Sequence, residues 1–249
     1  MKKHKIYLSA AIALFGVFFL FTALVINLDL DAIGPYGSIV GLSKMNGAFA
    51  DLTGGYNGLW YDISEIAGLI PLATAGCFAI LGLYQAIKRK NPLKVDPEIL
   101  VLGVFYVLVL QAYLTFEVIV INYRPVLIDG VLEASYPSSH TMLSLCIMTT
   151  AIFEINRLLK GKKAIVIVAD ILCGAIALTV LIGRLLSGVH WLSDIIAGIL
   201  LSAALICLYR FAVLMVQKML ASKKSNTVND SNEASETDAI DETTEKENA

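Results

Sequence analysis

Long apolar runs recur along this chain and restrict the folds open to it. Six stretches each hold about 20 or more mostly apolar residues, the length that a helix needs to cross a hydrocarbon core. They lie near residues 6–28, 64–87, 98–123, 139–159, 164–187 and 191–216. Since the runs lack the alternation of barrel strands, helices are the expected spanning form. At 57% hydrophobic and 16% charged residues, the chain is too apolar for a soluble domain. The sequence therefore predicts an all-α, polytopic membrane protein with six transmembrane helices in a bundle.

Basic residues are shared unevenly between the loops, which predicts the orientation of the chain. Lysines and arginines cluster before the first run, between the second and third, between the fourth and fifth, and after the sixth. These segments and both termini are expected in the cytoplasm, and the opposite face keeps only Lys44, Arg124 and Arg184. The first run exceeds the roughly 7 to 15 residues of a signal-peptide core, so we interpret it as an uncleaved span.

The composition changes after Lys224. Residues 225–249 hold eight acidic residues and one lysine, with too few apolar side chains to form a core. We therefore predict a six-span membrane domain over residues 1–220 and a disordered, acidic cytoplasmic tail over residues 221–249. The loop between the first two runs, residues 29–62, is rich in glycine and aromatic residues. It is interpreted either as a lid or interfacial helix that admits lipid, or as a simple interfacial anchor.

Scarce polar residues gather where the third to sixth apolar runs begin and end. His190 and Asp194 are four residues apart at the start of the last run, so the carboxylate is expected to accept the imidazole Nδ1 proton. That leaves Nε2 free, as a nucleophilic histidine requires. Arg124 closes the third run and Arg184 the fifth, and two converging guanidinium groups would bind phosphate oxygens and neutralise transition-state charge. The pattern is typical of chemistry on a phosphate.

The fourth run opens with Pro137-Ser138-Ser139-His140. Free backbone N–H groups and the helix dipole make such a start an anion site, and the serine hydroxyls add donors. His140 is placed to protonate a leaving oxygen. Taken alone, the segment is also an ordinary helix start with Ser139 as its N-cap, and one histidine at a membrane interface is often satisfied by packing or headgroups. All three clusters together, in order and on one face, favour a site.

These clusters resemble the three motifs of the type 2 phosphatidic acid phosphatase family, which shares its site with the vanadium haloperoxidases. The spacing of Arg184, His190 and Asp194 matches the third motif. The second motif is similar to residues 137–140, and the end of the first to Arg124-Pro125. The resemblance covers roughly residues 100–200 and includes the six-span layout.

What the family implies is a metal-independent phosphatase that works in two steps. By this resemblance His190 attacks phosphorus to give a phosphohistidine, Asp194 orients it, and His140 protonates the leaving group. Water then releases phosphate. The groups implied to hold the phosphoryl oxygens are Arg124, Arg184, Ser138 and the backbone at Ser139.

Three positions differ from the usual family pattern, and a fourth carries a tryptophan beside His190. Glu117 stands where the family pattern often has a lysine, two helical turns before Arg124, and it either modifies phosphate binding and lipid preference or pairs within the bundle. Gly183 replaces a frequent serine and Ser139 a frequent glycine, and we interpret both as tolerated variants. Trp191 is expected to be an interfacial anchor.

The favoured function is hydrolysis of a lipid phosphomonoester or diphosphate, with phosphatidic acid, phosphatidylglycerol phosphate or undecaprenyl diphosphate as the candidate substrates. The alternatives are a lipid phosphate carrier without turnover and a phosphotransferase to another alcohol. A haloperoxidase is disfavoured, because a membrane bundle suggests a lipid substrate. The expected partners are lipid phosphate and the bilayer, with no nucleic acid, no cofactor and no metal, since the four cysteines lack metal-ligand spacing. The sequence leaves the oligomeric state open.

Overall fold

The fold is a bundle of α-helices, as predicted. The structure, a computed structural model, describes residues 3–247, and it describes side chains as far as Lys223. Within that part there are two short 3-10 helices, Pro35–Gly37 and Pro92–Lys94, isolated β-bridges, and seven α-helices. The α-helices are α1 (Lys3–Asn27), α2 (Ser43–Thr53), α3 (Gly58–Lys88), α4 (Pro97–Val118), α5 (Ser139–Leu158), α6 (Lys163–Leu186) and α7 (Leu192–Glu247). Beyond Lys223 the predicted tail lies outside the described side chains, and its disorder stays a prediction.

Five of the helices are long and apolar enough to cross a membrane, namely α1, α3, α4, α6 and the part of α7 from Leu192 to Lys223. The helix α5 has 20 residues, enough to span about 30 Å, but it carries more polar side chains. It packs against α3, α4, α6 and α7. Because so much of its surface contacts protein rather than lipid, α5 does not need a fully apolar sequence. The count of six spans stays a prediction.

Apolar side chains cover the outside of the bundle as well as its core. Phe19 and Ile80 are more than half exposed, whereas Phe18 and Leu102 are buried. A surface of this kind suits lipid, in which exposed apolar groups cost nothing and backbone groups must be paired internally. The long helix α7 packs along α1 and α5, and α3 packs on α6.

The predicted third span is too long. The helix α4 ends at Val118 instead of residue 123, and Arg124 lies in a hairpin in which its backbone N–H donates to the Glu133 carbonyl over 3.0 Å. Helix is disfavoured at Arg124 because Pro125 follows it. Glu117 is on α4 and Arg124 is not, so the prediction that two turns of one helix separate them is wrong.

Candidate active site

Four segments meet at one end of the bundle: the hairpin after α4, the start of α5, the end of α6 and the turn before α7. They carry the three sequence clusters, which are therefore brought together. Ser138 N–H donates to the Asp194 carbonyl over 3.0 Å, which joins the second cluster to the third. Trp191 Nε1 donates to the Tyr123 carbonyl over 2.7 Å, which joins the third to the first. Trp191 is buried, so the prediction of an interfacial anchor is wrong.

His190 lies in the turn between α6 and α7, and its ring is buried. Its Nδ1 is 3.1 Å from the carbonyl oxygen of Ser135 and 3.6 Å from Oδ2 of Asp194. A carbonyl oxygen can only accept, so Nδ1 carries the proton and Nε2 keeps its lone pair. The predicted tautomer is present, but its acceptor is Ser135 rather than Asp194. The reason is that His190 precedes α7, so the spacing of four residues is not helical spacing.

Asp194 lies in the first turn of α7 and is fully buried. Its Oδ2 accepts from the backbone N–H of Trp191 over 2.9 Å, and its Oδ1 accepts from Asn122 Nδ2 over 3.2 Å. These donors hold the carboxylate beside the His190 ring. A negative charge there stabilises an imidazole that becomes positive when its Nε2 forms a bond.

The protonation of His190 is set mainly by burial. Burial lowers the pKa of His190 from 6.5 to about 4, with Asp194 acting in the opposite direction and Arg124 and Arg184 lowering it further. The imidazole is therefore neutral at pH 7. Both arginines are also close enough to His190 to act on it electrostatically, which places all three groups around one region.

Arg184 ends α6, as predicted, and it is fully buried. Its Nη2 donates to Oε1 of Glu65, and its guanidinium carbon lies 5.4 Å from the centre of the Tyr61 ring. Both partners belong to α3, an element that carries none of the predicted motifs. Sequence reasoning missed Glu65, although an acidic residue inside an apolar span is itself a signal of function.

His140 is the second residue of α5. Its Nε2 is 3.5 Å from Oε2 of Glu65, so a single carboxylate contacts both His140 and Arg184. Gly68, on the next turn of α3, leaves room for the ring, because a Cβ at that position would lie 2.9 Å from His140 Cδ2.

Arg124 projects from the hairpin and is mostly buried, with Nε 3.0 Å from Oε2 of Glu133. Each of the two arginines thus has one carboxylate partner. Several buried nitrogen atoms around the site nevertheless have no hydrogen-bond partner within the described part of the chain: Arg184 Nε and Nη1, Arg124 Nη1, His140 Nδ1 and His190 Nε2. Buried polar atoms normally have a partner, so the arginine and His140 nitrogen atoms are available to an acceptor and the His190 Nε2 lone pair is available to an electrophile.

The two serines of the second cluster differ in position. Ser138 is the N-cap residue of α5, one residue before the predicted cap, and its hydroxyl donates to Thr141 Oγ1 over 3.0 Å. Since its N–H is also occupied, Ser138 has no donor free for a phosphate. Ser139 instead lines a small cavity together with His190 and Glu117. Glu117 is exposed in the last turn of α4 and borders the site from there.

A larger cavity, of about 170 Å³, also borders His190 and is lined by α2, by Tyr56 and by Pro125. The buried Asn46 of α2 reaches across to α7, where its Oδ1 accepts from Ser193 N–H over 3.0 Å and its Nδ2 donates to Ser193 Oγ over 2.9 Å. The segment between α1 and α3, which contains α2, is thus hydrogen-bonded to Ser193, the residue before Asp194. Sequence reasoning also missed Asn46, because nothing near it in the chain points to α7.

Comparison with known proteins agrees with this fold. Residues 105–218 match the family model described as the PAP2 superfamily. A crystal structure described as that of the first transmembrane PAP2 type phosphatidylglycerolphosphate phosphatase, from Bacillus subtilis, has a similar fold, with a TM-score of 0.51 and 22% sequence identity. The similarity covers 81% of this chain and 94% of that one. Among curated proteins, no sequence matches this chain.

Proposed function

Residues 105–218 belong to the PAP2 superfamily, and from that premise we propose that the protein is a lipid phosphate phosphatase that works through a phosphohistidine at His190. The observation that carries the proposal is the set of unpartnered buried nitrogen atoms on Arg124, Arg184, His140 and His190. Three of these residues can donate to an anion, and the fourth offers a lone pair beside them. A phosphoryl group needs this combination of ligands and nucleophile.

The first step is attack of His190 Nε2 on phosphorus. As the N–P bond forms, the bond from phosphorus to the lipid oxygen breaks, and a proton from His140 goes to that oxygen. Arg184 and Arg124 neutralise the charge on the remaining phosphoryl oxygens. His190 becomes positively charged, which the buried Asp194 carboxylate 3.6 Å away stabilises.

The second step returns the enzyme to its starting state. A water molecule gives a proton to His140, and its oxygen attacks phosphorus as the N–P bond breaks. Inorganic phosphate leaves, and His190 is again neutral. Burial favours this cycle because it lowers the pKa of His190 to about 4, so that the ring starts each turnover with its lone pair available at neutral pH.

The proposed substrates are lipid phosphomonoesters or diphosphates. Phosphatidylglycerol phosphate, phosphatidic acid and undecaprenyl diphosphate all offer the same phosphoryl group on an apolar carrier. The structurally similar Bacillus subtilis protein is described as a phosphatidylglycerolphosphate phosphatase. The distribution of basic loops supports a site on the extracytoplasmic side, with both termini in the cytoplasm.

The test is phosphate release by the purified full-length protein in detergent, from each of these lipids, with and without a chelator. Wild-type protein and His4→Ala are expected to release phosphate in chelator, and His190→Ala is not. His4 is the matched control, because it is the one histidine remote from the site. Radiolabelled substrate should leave an acid-labile phosphohistidine on wild-type protein and on His4→Ala, but not on His190→Ala.

Each other outcome contradicts part of the proposal. Turnover by His190→Ala excludes the phosphohistidine, and loss of activity in chelator excludes the metal-free route. Lipid binding by wild-type protein without phosphate release favours the carrier. Transfer of phosphate to an added alcohol, with no inorganic phosphate formed, favours the phosphotransferase.

A further inference from the structure

We propose that Glu65 is a positioning residue of this reaction, which holds the proton donor His140 and the phosphate ligand Arg184 in one unit. The inference rests on the proposed function and adds to it a residue outside all three sequence motifs. It assigns to α3 a part in the site that the motifs leave to other helices.

The contacts of Glu65 carry the proposal. One carboxylate oxygen accepts from Arg184 Nη2, and the other lies 3.5 Å from His140 Nε2. Arg184 is fully buried, and a buried guanidinium without an anionic partner is strongly unfavourable. Glu65 neutralises the Arg184 guanidinium. Arg184 Nε and Nη1 have no partner among the described residues, so they can bind a phosphoryl group.

The backbone of α3 is shaped for this contact. Tyr61, Glu65 and Gly68 follow one another at the spacing of a single helix face, and each contacts the site: Tyr61 packs under Arg184, and Gly68 accommodates the His140 ring. On the adjoining helix, Gly183 permits the close approach, since a Cβ there would lie 2.7 Å from Ser64 Cβ. The packing thus positions Glu65 independently of its ionic contacts.

The contact with Glu65 gives the two nitrogen atoms of His140 different roles: Nε2 faces the carboxylate, and Nδ1 transfers the proton. Its Nε2–H faces Glu65, and its buried Nδ1 has no partner among the described residues. In the first step the Nδ1 proton goes to the leaving lipid oxygen as the P–O bond breaks. The Nε2 proton stays on His140 and continues to face the Glu65 carboxylate. In the second step Nδ1 takes a proton from the attacking water. Glu65 touches neither substrate nor phosphorus, so its effect on the reaction passes through His140 and Arg184.

The leaving group provides the test. An alkyl alcohol must be protonated as it leaves, whereas p-nitrophenolate leaves without a proton. The comparison uses kcat/KM, which reports the steps up to departure of the leaving group and not the later attack of water. We expect Glu65→Gln to lower kcat/KM for a lipid phosphate about 100-fold, the size of a general-acid contribution, and to lower kcat/KM for p-nitrophenyl phosphate at least 10-fold less. His140→Ala should show the same selectivity, and the double variant should add little to it. Glu133→Gln is the matched control, because Glu133 pairs with Arg124 instead: it should lower both rates together.

Three results would overturn the inference. An equal loss on both substrates in Glu65→Gln would mean a structural role only, and a gain on both would mean that the carboxylate competes with phosphate. An unchanged rate on the lipid would exclude any role. If Glu65→Gln does not fold, Glu65→Asp keeps the charge but shortens the reach, and the same selectivity is expected of it. Failure of the proposed function is seen separately, as an inactive wild type or an active His190→Ala.

Discussion

His190 Nδ1 donates its proton to the backbone carbonyl of Ser135 over 3.1 Å. A backbone carbonyl cannot take up the proton at any ordinary pH, so this bond holds the ring in one tautomer and directs the lone pair of Nε2 into the site. Ser135 is itself held, because its N–H donates to the Asn122 carbonyl over 2.9 Å and Asn122 also binds Asp194. The His190 ring is thus oriented by the hairpin, while Asp194 supplies negative charge beside it.

The first prediction concerns the pH dependence of catalysis. Because burial lowers the pKa of His190 to about 4, kcat/KM should lose the contribution of this group only as the pH falls through about 4, rather than through its ordinary value of 6.5. The measurement is a pH profile of phosphate release, with recovery of activity at pH 7 as the control for unfolding. An acidic limb near pH 6.5 that moves with substitution at Asp194 would contradict it. The same shift predicts that folding stability falls as the pH drops from about 6.5 towards 4, because the unfolded state binds this proton more readily.

The second prediction concerns Asn46. Replacing it with alanine leaves the buried N–H of Ser193 without its acceptor, at a cost of about 1 to 3 kcal/mol, so Asn46→Ala should lower the unfolding midpoint by several degrees. Activity should fall too, because the start of α7 positions Asp194. Asn27→Ala is the control, since Asn27 is exposed and bonds within its own helix. Equal midpoints for the two variants would show that α2 does not brace the site.

The third prediction concerns Gly183, where the family often has serine. Gly183→Ser should reduce activity, because its Cβ would meet Ser64 at 2.7 Å and push α3 away from Arg184. Gly174→Ser, on the same helix, meets nothing within 4 Å and should behave as wild type. Phosphate release and thermal unfolding of both variants test this. Full activity in Gly183→Ser would mean that the contact between α3 and α6 can relax at no cost to the site.

The fourth prediction concerns Glu117, which borders the cavity beside His190. Glu117→Lys should tighten inhibition by inorganic phosphate about fivefold or more, because two unit charges about 4 Å apart interact by about 1 kcal/mol even in water. Glu117→Gln should lie between wild type and Glu117→Lys, and high salt should reduce the differences. Equal inhibition constants across the series would show that Glu117 only pairs within the bundle.

Much of the fold could be predicted, because the length and hydrophobicity that lipid requires of a spanning helix are properties of one local stretch of sequence. A hydrocarbon core demands about 20 consecutive apolar residues per helix, and every predicted span overlaps an α-helix of the structure. The ends were less predictable. Residues 119–123 are mostly apolar, but they leave the helix to reach the hairpin, and hydropathy alone does not distinguish an apolar loop from a helix.

The site, like the fold, was only partly predictable from the sequence. Clusters in the chain order of the motifs predicted a site that includes Arg184, His140, His190 and Asp194. The structure places these four residues at the same end of the bundle, and their roles in a reaction stay a prediction. The acceptor of the His190 proton, the partner of Arg184 and the brace on α7 could not be predicted, because Ser135, Glu65 and Asn46 are 55, 119 and 147 residues from the groups they contact.

Apolar runs and motif spacing thus accounted for the class of fold, and they predicted which side chains form the site and what chemistry those side chains carry out. These follow from chain-local properties, namely transfer of side chains to lipid and the reactivity of each residue type. The orientation of the imidazole, the neutralisation of the buried guanidinium and the contribution of α3 arose only when the helices packed. Hydrogen bonds and ion pairs between distant segments depend on that packing, and no local pattern in the chain encodes them.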